Sequence, residues 1–205
     1  MSVRKLIVAT GNAGKLREIR QKLTPFGIEV EGLESHPEWV PAVEDGETFA
    51  ANARKKALAI ARQSGTVCLA DDSGLTVEAL EGRPGVYSAR FAGEDADDAR
   101  NNAFLLEQLA HVPAGQRQGA FCCVMALCSP EGQCRLFEGR LEGEILFSPR
   151  GQEGFGYDPL FWLAARNCSM AELSLEEKNL ISHRGQALAQ VVLVLSEQPQ
   201  LLPGA

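Results

Sequence analysis

The chain has 205 residues, 45% of them hydrophobic and 23% charged, a balance that excludes intrinsic disorder and collagen-like repeats and suffices for one folded core. Twenty Lys and Arg against 27 Asp and Glu leave a formal charge of −7, which excludes an extended basic face for nucleic acid and requires any phosphate to be bound locally. No apolar stretch approaches the ~18 residues of a membrane span, and the run at residues 6–9 is too short for a secretory signal; the expectation is a cytoplasmic protein with no nucleic-acid or membrane partner.

In chain order, residues 6–9 read as a buried strand, 15–23 as a helix that stops near Pro25, and 28–31 as a second short strand. Thr48 caps a predicted helix over 49–64, where Phe49, Ala53, Ala57, Ile60 and Ala61 recur at helical spacing and Gly65 marks the end. Strands over 66–70 and 75–79 follow, separated by a predicted turn. A helix over 97–109 precedes two strands, 119–128 and 134–142, whose connection Ser129-Pro130-Glu131-Gly132 signals a hairpin. Ser174 and Glu177 form a capping box for a short helix, and 186–197 supplies the last one. With no repeat and no linker, the expectation is an α/β fold, a mixed sheet flanked by helices. The chain reads as a single two-lobed domain, residues 1–205, with an active-site cleft between the lobes.

The six cysteines, Cys68, Cys122, Cys123, Cys128, Cys134 and Cys168, show no C-x-x-C spacing, and Cys122 and Cys123 fall on opposite faces of a strand. They read as buried small hydrophobes rather than zinc ligands or disulfides.

Three segments carry chemistry. Thr10-Gly11-Asn12-Ala13-Gly14-Lys15 joins a strand to a helix, so free N–H groups at the helix start and the cation of Lys15 make a phosphate cradle. It is not a Walker A loop, because Ala9 stands at the first glycine position and Leu16 replaces the Ser or Thr that would hold magnesium. Asp71-Asp72-Ser73-Gly74 follows a strand and offers two adjacent carboxylates suited to Mg²⁺, to which Glu44 adds a third; alone, the same four residues are ordinary turn chemistry. Glycines flank Phe155 in Gly154-Phe155-Gly156-Tyr157-Asp158-Pro159, and with Lys178 and Ser182-His183-Arg184 they suit a planar base. His36 and His111 receive no role.

These residues, in seven ordered blocks, resemble the inosine triphosphate pyrophosphatase family nearly end to end. Besides the three segments above, the blocks are Glu44-Asp45-Gly46-Glu47-Thr48-Phe49, Asn52-Ala53 with Lys56-Ala57, Pro84-Gly85-Val86-Tyr87-Ser88-Ala89-Arg90, and Ser182-His183-Arg184-Gly185. The resemblance implies a Mg²⁺-dependent hydrolase that splits purine nucleoside triphosphates such as dITP, ITP and XTP into the monophosphate and pyrophosphate, working as a homodimer. It further implies substrate phosphate at Thr10, Gly11, Asn12, Ala13, Gly14 and Lys15, metal at Glu44 with Asp71 or Asp72, and Asp72 as general base. Lys56, Ser73 and Lys178 would meet the substrate, and Phe155, Gly156, Tyr157, Asp158, His183 and Arg184 the base. Two other readings compete: a related septum-inhibitor-type pyrophosphatase for pyrimidine or methylated nucleotides, opposed by Ser182-His183-Arg184, and a nucleotide-binding regulator without turnover, opposed by Asp71-Asp72.

Overall fold

The computed structural model describes residues 4–202. In chain order the elements are β1 (Arg4–Val8), α1 (Ala13–Leu23), β2 (Ile28–Gly32), α2 (Phe49–Ser64), β3 (Cys68–Val77), α3 (Asp98–Gln108), β4 (Gln118–Cys128), β5 (Cys134–Ile145), β6 (Phe161–Leu163), β7 (Cys168–Ser169), α4 (Leu175–Ile181) and α5 (His183–Glu197), linked in places by short 3₁₀ turns. The strands form one mixed sheet in the order β2-β1-β3-β4-β5-β6-β7. β1 runs parallel to β2 and β3, whereas β6 is antiparallel to both β5 and β7.

The residues group into two compact units, one of Met1–Asp72, Cys123–Gly139 and Arg184–Ala205, the other of Ser73–Cys122 and Arg140–His183. In the first unit the two-residue period of the strands sorts side chains onto two faces. Leu6, Val8 and Leu69 pack with Leu16 and Ile19 of α1 and Leu188 and Val191 of α5. Ile7, Ala9, Cys68 and Ala70 pack instead with Ala53, Ala57 and Ile60 of α2. Both faces are therefore covered, as an apolar parallel ladder requires. The second unit has its own core, in which Leu75 and Val77 join Leu105 and Leu109 of α3, Phe121 of β4 and Phe161 of β6.

Local chemistry explains the best-defined ends. The Thr48 hydroxyl accepts the Ala51 N–H at 3.1 Å, and Gly65 closes α2 at φ +70°. Ser174 and Glu177 form the capping box of α4.

Two expectations are corrected, and two short strands are added. Residues 66–79 are not two strands about a turn: β3 runs unbroken from Cys68 to Val77, so Asp71-Asp72-Ser73-Gly74 is strand. Four poor strand formers are held extended within β3, whose neighbours in the sheet are β1, opposite Cys68 and Leu69, and β4; tertiary context outweighs intrinsic preference. The short strands β6 and β7 carry too few residues for any periodic signal. Cys128 and Cys134, expected to be separate small hydrophobes, are joined in a disulfide, because the turn closed by the 2.8 Å bond from the Ser129 N–H to the Gln133 carbonyl sets the ends of β4 and β5 opposite each other.

Gly74 is a point of close approach. A Cβ there would sit 2.5 Å from the Gly85 carbonyl oxygen and against the Ser88 hydroxyl, which itself accepts the Leu75 N–H at 2.9 Å. We expect Gly74→Ala to destabilise the fold by about 1–3 kcal/mol, the range for overpacking a closed site. Denaturant titration checks this, and an unchanged midpoint would show that the segment around Ser88 yields without cost.

Candidate active site

In the first unit, β1 ends at Val8 and the chain passes through Thr10 and the exposed Gly11 and Asn12 into α1. Asn12 caps the helix, its side chain accepting the Lys15 N–H at 2.9 Å, while the Thr10 hydroxyl accepts the Asn12 N–H at 3.2 Å. The segment is thus an exposed loop opening on the N-terminus of an 11-residue helix, the geometry in which backbone N–H groups and the helix dipole favour an anion.

The strand period divides the two aspartates. Asp71 follows Leu69 onto the face of α1 and α5, and Asp72 follows Ala70 onto the face of α2. Asp71 Oδ2 lies 3.0 Å from Lys15 Nζ and 3.4 Å from Arg184 Nη2, and Arg184 Nη1 lies 2.5 Å from Glu18 Oε2. The Asp71 side chain has no exposed surface, and those of Glu18 and Arg184 are each 2% exposed. Burial pushes the Asp71 carboxyl up, but Lys15 and Arg184, followed by Lys56, outweigh it and hold the group well below the usual carboxylate range.

On the opposite face, Asp72 Oδ2 accepts from Asn52 Nδ2 at 3.0 Å, and Asp72 Oδ1 lies 3.5 Å from Lys56 Nζ. Lys56 Nζ also reaches Glu44 Oε2 at 2.9 Å. Asn52 in turn fixes Gly46, accepting its N–H at 2.8 Å, which ties the loop bearing Glu44 to α2. Burial raises the Asp72 carboxyl above its ordinary value despite the opposing pull of Lys56 and Lys15. For Lys56, burial works downward and the carboxylates of Asp71, Asp72 and Glu44 work upward; the net shift is upward.

The second unit brings together Phe155, Asp158 and Lys178. Asp158 Oδ2 accepts the Phe155 N–H at 2.9 Å and lies 2.5 Å from Lys178 Nζ, and that ammonium stands 4.5 Å from the Phe155 ring centre. Gly154 and Gly156, at φ +81° and +62°, allow the tight turn. Tyr157 is buried, its hydroxyl donating to the Ser88 carbonyl at 2.8 Å. The His183 ring stacks on Phe121 at 4.9 Å.

Sequence grouping and structure differ in two places. Glu44, Asp71 and Asp72 read as one ligand set, yet Asp71 and Asp72 point to opposite faces, and among the described residues no group of three or more His, Cys, Asp or Glu side chains is arranged to hold a metal. Arg184, grouped with the base-binding residues, is buried between Glu18 and Asp71. Sequence reading also passed over Glu18, and it placed Asn52 in a motif without giving it a role. Each lies among the buried positions of its helix, Glu18 between Leu16 and Ile19 and Asn52 beside Ala53, and a polar residue in an apolar stripe was the available signal.

The sequence pattern of the Ham1 family matches residues 6–193. The chain is 54% identical over 185 residues to a dITP/XTP pyrophosphatase of Geobacter sulfurreducens, covering 90% of this chain and 93% of that one. It is 50% identical over 192 residues to a dITP/XTP pyrophosphatase of Desulforamulus reducens, covering 94% and 96%. Among solved structures, a HAM1 protein from Coxiella burnetii superposes with a TM-score of 0.86 at 41% identity over 95% of this chain and 99% of the other. The Staphylococcus aureus Ham1 protein gives 0.83 at 35% identity over 95% and 100%. The chain belongs to the Ham1 family, in agreement with the resemblance carried by its seven motifs.

The buried Asp71, Arg184 and Glu18 set makes a stability prediction. Removing one partner of a buried pair leaves an uncompensated charge, so Arg184→Met should cost about 3–5 kcal/mol at neutral pH. In the parent, Asp71 with its lowered pKa contributes stability that is complete above about pH 3.9, the unfolded value, and is lost as pH falls through the folded one. In Arg184→Met, Asp71 keeps Lys15 but loses its second cation, so its carboxyl is held down less strongly and the deficit shrinks as the pH falls. Denaturant titrations at neutral and acidic pH check this; a deficit constant across pH would mean that lost packing, not charge, is responsible.

Proposed function

We propose that this chain is a nucleoside triphosphate pyrophosphohydrolase that converts deaminated purine nucleotides, dITP, ITP and XTP, to the monophosphate and pyrophosphate, and so keeps them out of DNA and RNA. The observation that supports it most is the convergence of Glu44 and Asp72 on one cation, in a chain about half identical to dITP/XTP pyrophosphatases. The homodimer and cytoplasmic setting implied by the resemblance go with this reading; no helix among the described residues is long and apolar enough to cross a membrane.

A magnesium ion fits the residues present. Glu44 Oε2 and Asp72 Oδ1 already lie 2.9 and 3.5 Å from a single ammonium, so two hard oxygen donors face one cation-sized position. Asp71 fits less well, because Lys15 and Arg184 engage its Oδ2. The assignment is therefore Glu44 and Asp72 as ligands and Asp71 as the anchor of Lys15. When bound, the ion neutralises charge on the triphosphate and on the departing pyrophosphate.

The protein's own groups do the rest. Thr10, Gly11, Asn12, Ala13 and Gly14 present the helix start to phosphate, and Lys15 and Lys56 add positive charge. Asp72 takes a proton from the attacking water. The water oxygen bonds to the α-phosphorus, the bond to the bridging oxygen breaks, and pyrophosphate leaves with that oxygen. Ser73 meets the substrate beside Asp72. Phe155 stacks on the base, Asp158 and Lys178 hold its polar edge, and Gly156, Tyr157 and His183 shape the pocket; Arg184 acts through Asp71.

A panel of nucleoside triphosphates with pyrophosphate and phosphate detected separately tests the reading. Pyrophosphate from dITP, ITP and XTP is expected, with loss of turnover in excess chelator; release of phosphate and a diphosphate would overturn it. Asp72→Asn should lower kcat by roughly 10²–10⁴ with the fold intact, and near-normal turnover would exclude Asp72 as base. Asn52→Ala removes a hydrogen bond that lowers the Asp72 pKa, so the acid limb of the kcat/KM profile should move to higher pH. An unmoved limb would detach that limb from Asp72.

A further inference from the structure

The turn at Gly154–Asp158 has two glycines at positive φ, and a chain segment of that kind has many conformations open to it unless something outside holds it. Two of its polar groups are held within the turn, the Phe155 N–H by Asp158 and the Asp158 N–H by the Phe155 carbonyl at 3.3 Å, and the Tyr157 hydroxyl goes to the Ser88 carbonyl. Gly156 is different, because both of its backbone groups go to one other element. Its N–H donates to Asp98 Oδ2 at 2.7 Å, and its carbonyl accepts from Asn102 Nδ2 at 2.8 Å.

Asp98 and Asn102 stand one helical turn apart at the start of α3, so they project from the same face. Asp97 already caps the helix, accepting the Arg100 N–H at 2.8 Å, which leaves the Asp98 carboxylate to reach outward. The Asn102 amide nitrogen also donates to the Asp98 carbonyl at 2.8 Å. Both its neighbours are acceptors, so the nitrogen must face them, and the buried Asn102 Oδ1 is left with no hydrogen-bond partner among the described residues. Only the two donors of Asn102 explain a side chain that carries such an orphan. Burial and the Asp98 charge together raise the Tyr157 phenol, keeping it a donor to Ser88.

We propose that Asp98 and Asn102 are positioning residues for base recognition, gripping Gly156 from both sides so that Phe155 is presented to the purine in one orientation. The inference rests on the reading that this turn meets the base. Neither residue touches substrate; both act through the backbone of Gly156. It follows that the Phe155 and Gly156 N–H groups are engaged within the protein, and side chains rather than these two amides supply donors to the purine.

The test compares kcat/KM for dITP with kcat/KM for an abasic deoxyribosyl triphosphate, which offers the phosphates and sugar without the base. Asp98→Ala should lower the dITP-to-abasic ratio about tenfold, chiefly through KM, and Asn102→Ala should move it in the same direction. Asp98→Asn keeps an acceptor for the Gly156 N–H and should restore most of the ratio. A ratio unmoved by Asp98→Ala and Asn102→Ala, whether both activities fall together or neither does, would overturn the proposal, as would an Asp98→Asn enzyme no better than Asp98→Ala. Phe155→Ala and Lys178→Ala separate the two readings. If they lower the ratio and the α3 variants do not, only the positioning role fails; if they too leave it unmoved, the turn does not read the base and both fail.

Discussion

A carboxylate without exposed surface must be neutralised inside the fold, and at Asp71 the elements of the first unit are arranged around that requirement. Lys15 comes from the start of α1, Glu18 from one turn further along the same helix, and Arg184 from the start of α5. None of the three is adjacent to Asp71 in sequence, yet each is fixed by the packing of its helix on β1 and β3. Two anions and two cations alternate, so no buried charge faces solvent-free space alone. The same ion pair that satisfies Asp71 also fixes Lys15 at the start of α1, beside the exposed loop that opens the helix.

Alternation along β3 makes this division of labour possible. Two consecutive carboxylates on a turn would crowd one another; on a strand they part onto opposite faces. Asp71 enters a closed ion-pair set and is held ionised. Asp72 enters a more open setting with Asn52, Lys56 and Glu44, where burial pushes its pKa the other way. Neighbouring residues of identical type thus acquire opposite pKa shifts from their surroundings alone.

The second unit uses a different device. Its turn around Phe155 is built on glycines and acquires order from hydrogen bonds to groups far away in sequence: the side chains of Asp98 and Asn102 on α3 and Lys178 on α4, and the Ser88 backbone carbonyl. Ser88 serves twice, since its hydroxyl also accepts the Leu75 N–H beside Gly74. Within the second unit, the end of β3 around Leu75 and the turn that carries Phe155 therefore each lean on the same residue.

Much of this was legible in the sequence. Helix α2 could be bounded to the residue because Thr48, Gly65 and the alanine spacing are local signals, and the hairpin and the capping box at Ser174 likewise depend on residues a few positions apart. The phosphate loop, the Asp71-Asp72 pair, Glu44, Lys56 and the Phe155 turn were identifiable as candidates because residue type and order mark them. Which of them meet was not. The strand nature of Asp71–Gly74 came from the place of β3 inside the sheet, against the preference of the residues themselves. The bond between Cys128 and Cys134 needed the hairpin closed, and the short β6 and β7 needed a neighbouring strand to exist at all. Arg184 paired with Asp71 across 113 positions, and Asp98 with Gly156 across 58. Sequence determines what is decided within a few residues, capping, periodicity and turn chemistry; the tertiary structure alone decides which charges are buried together, because that depends on packing between segments the chain separates.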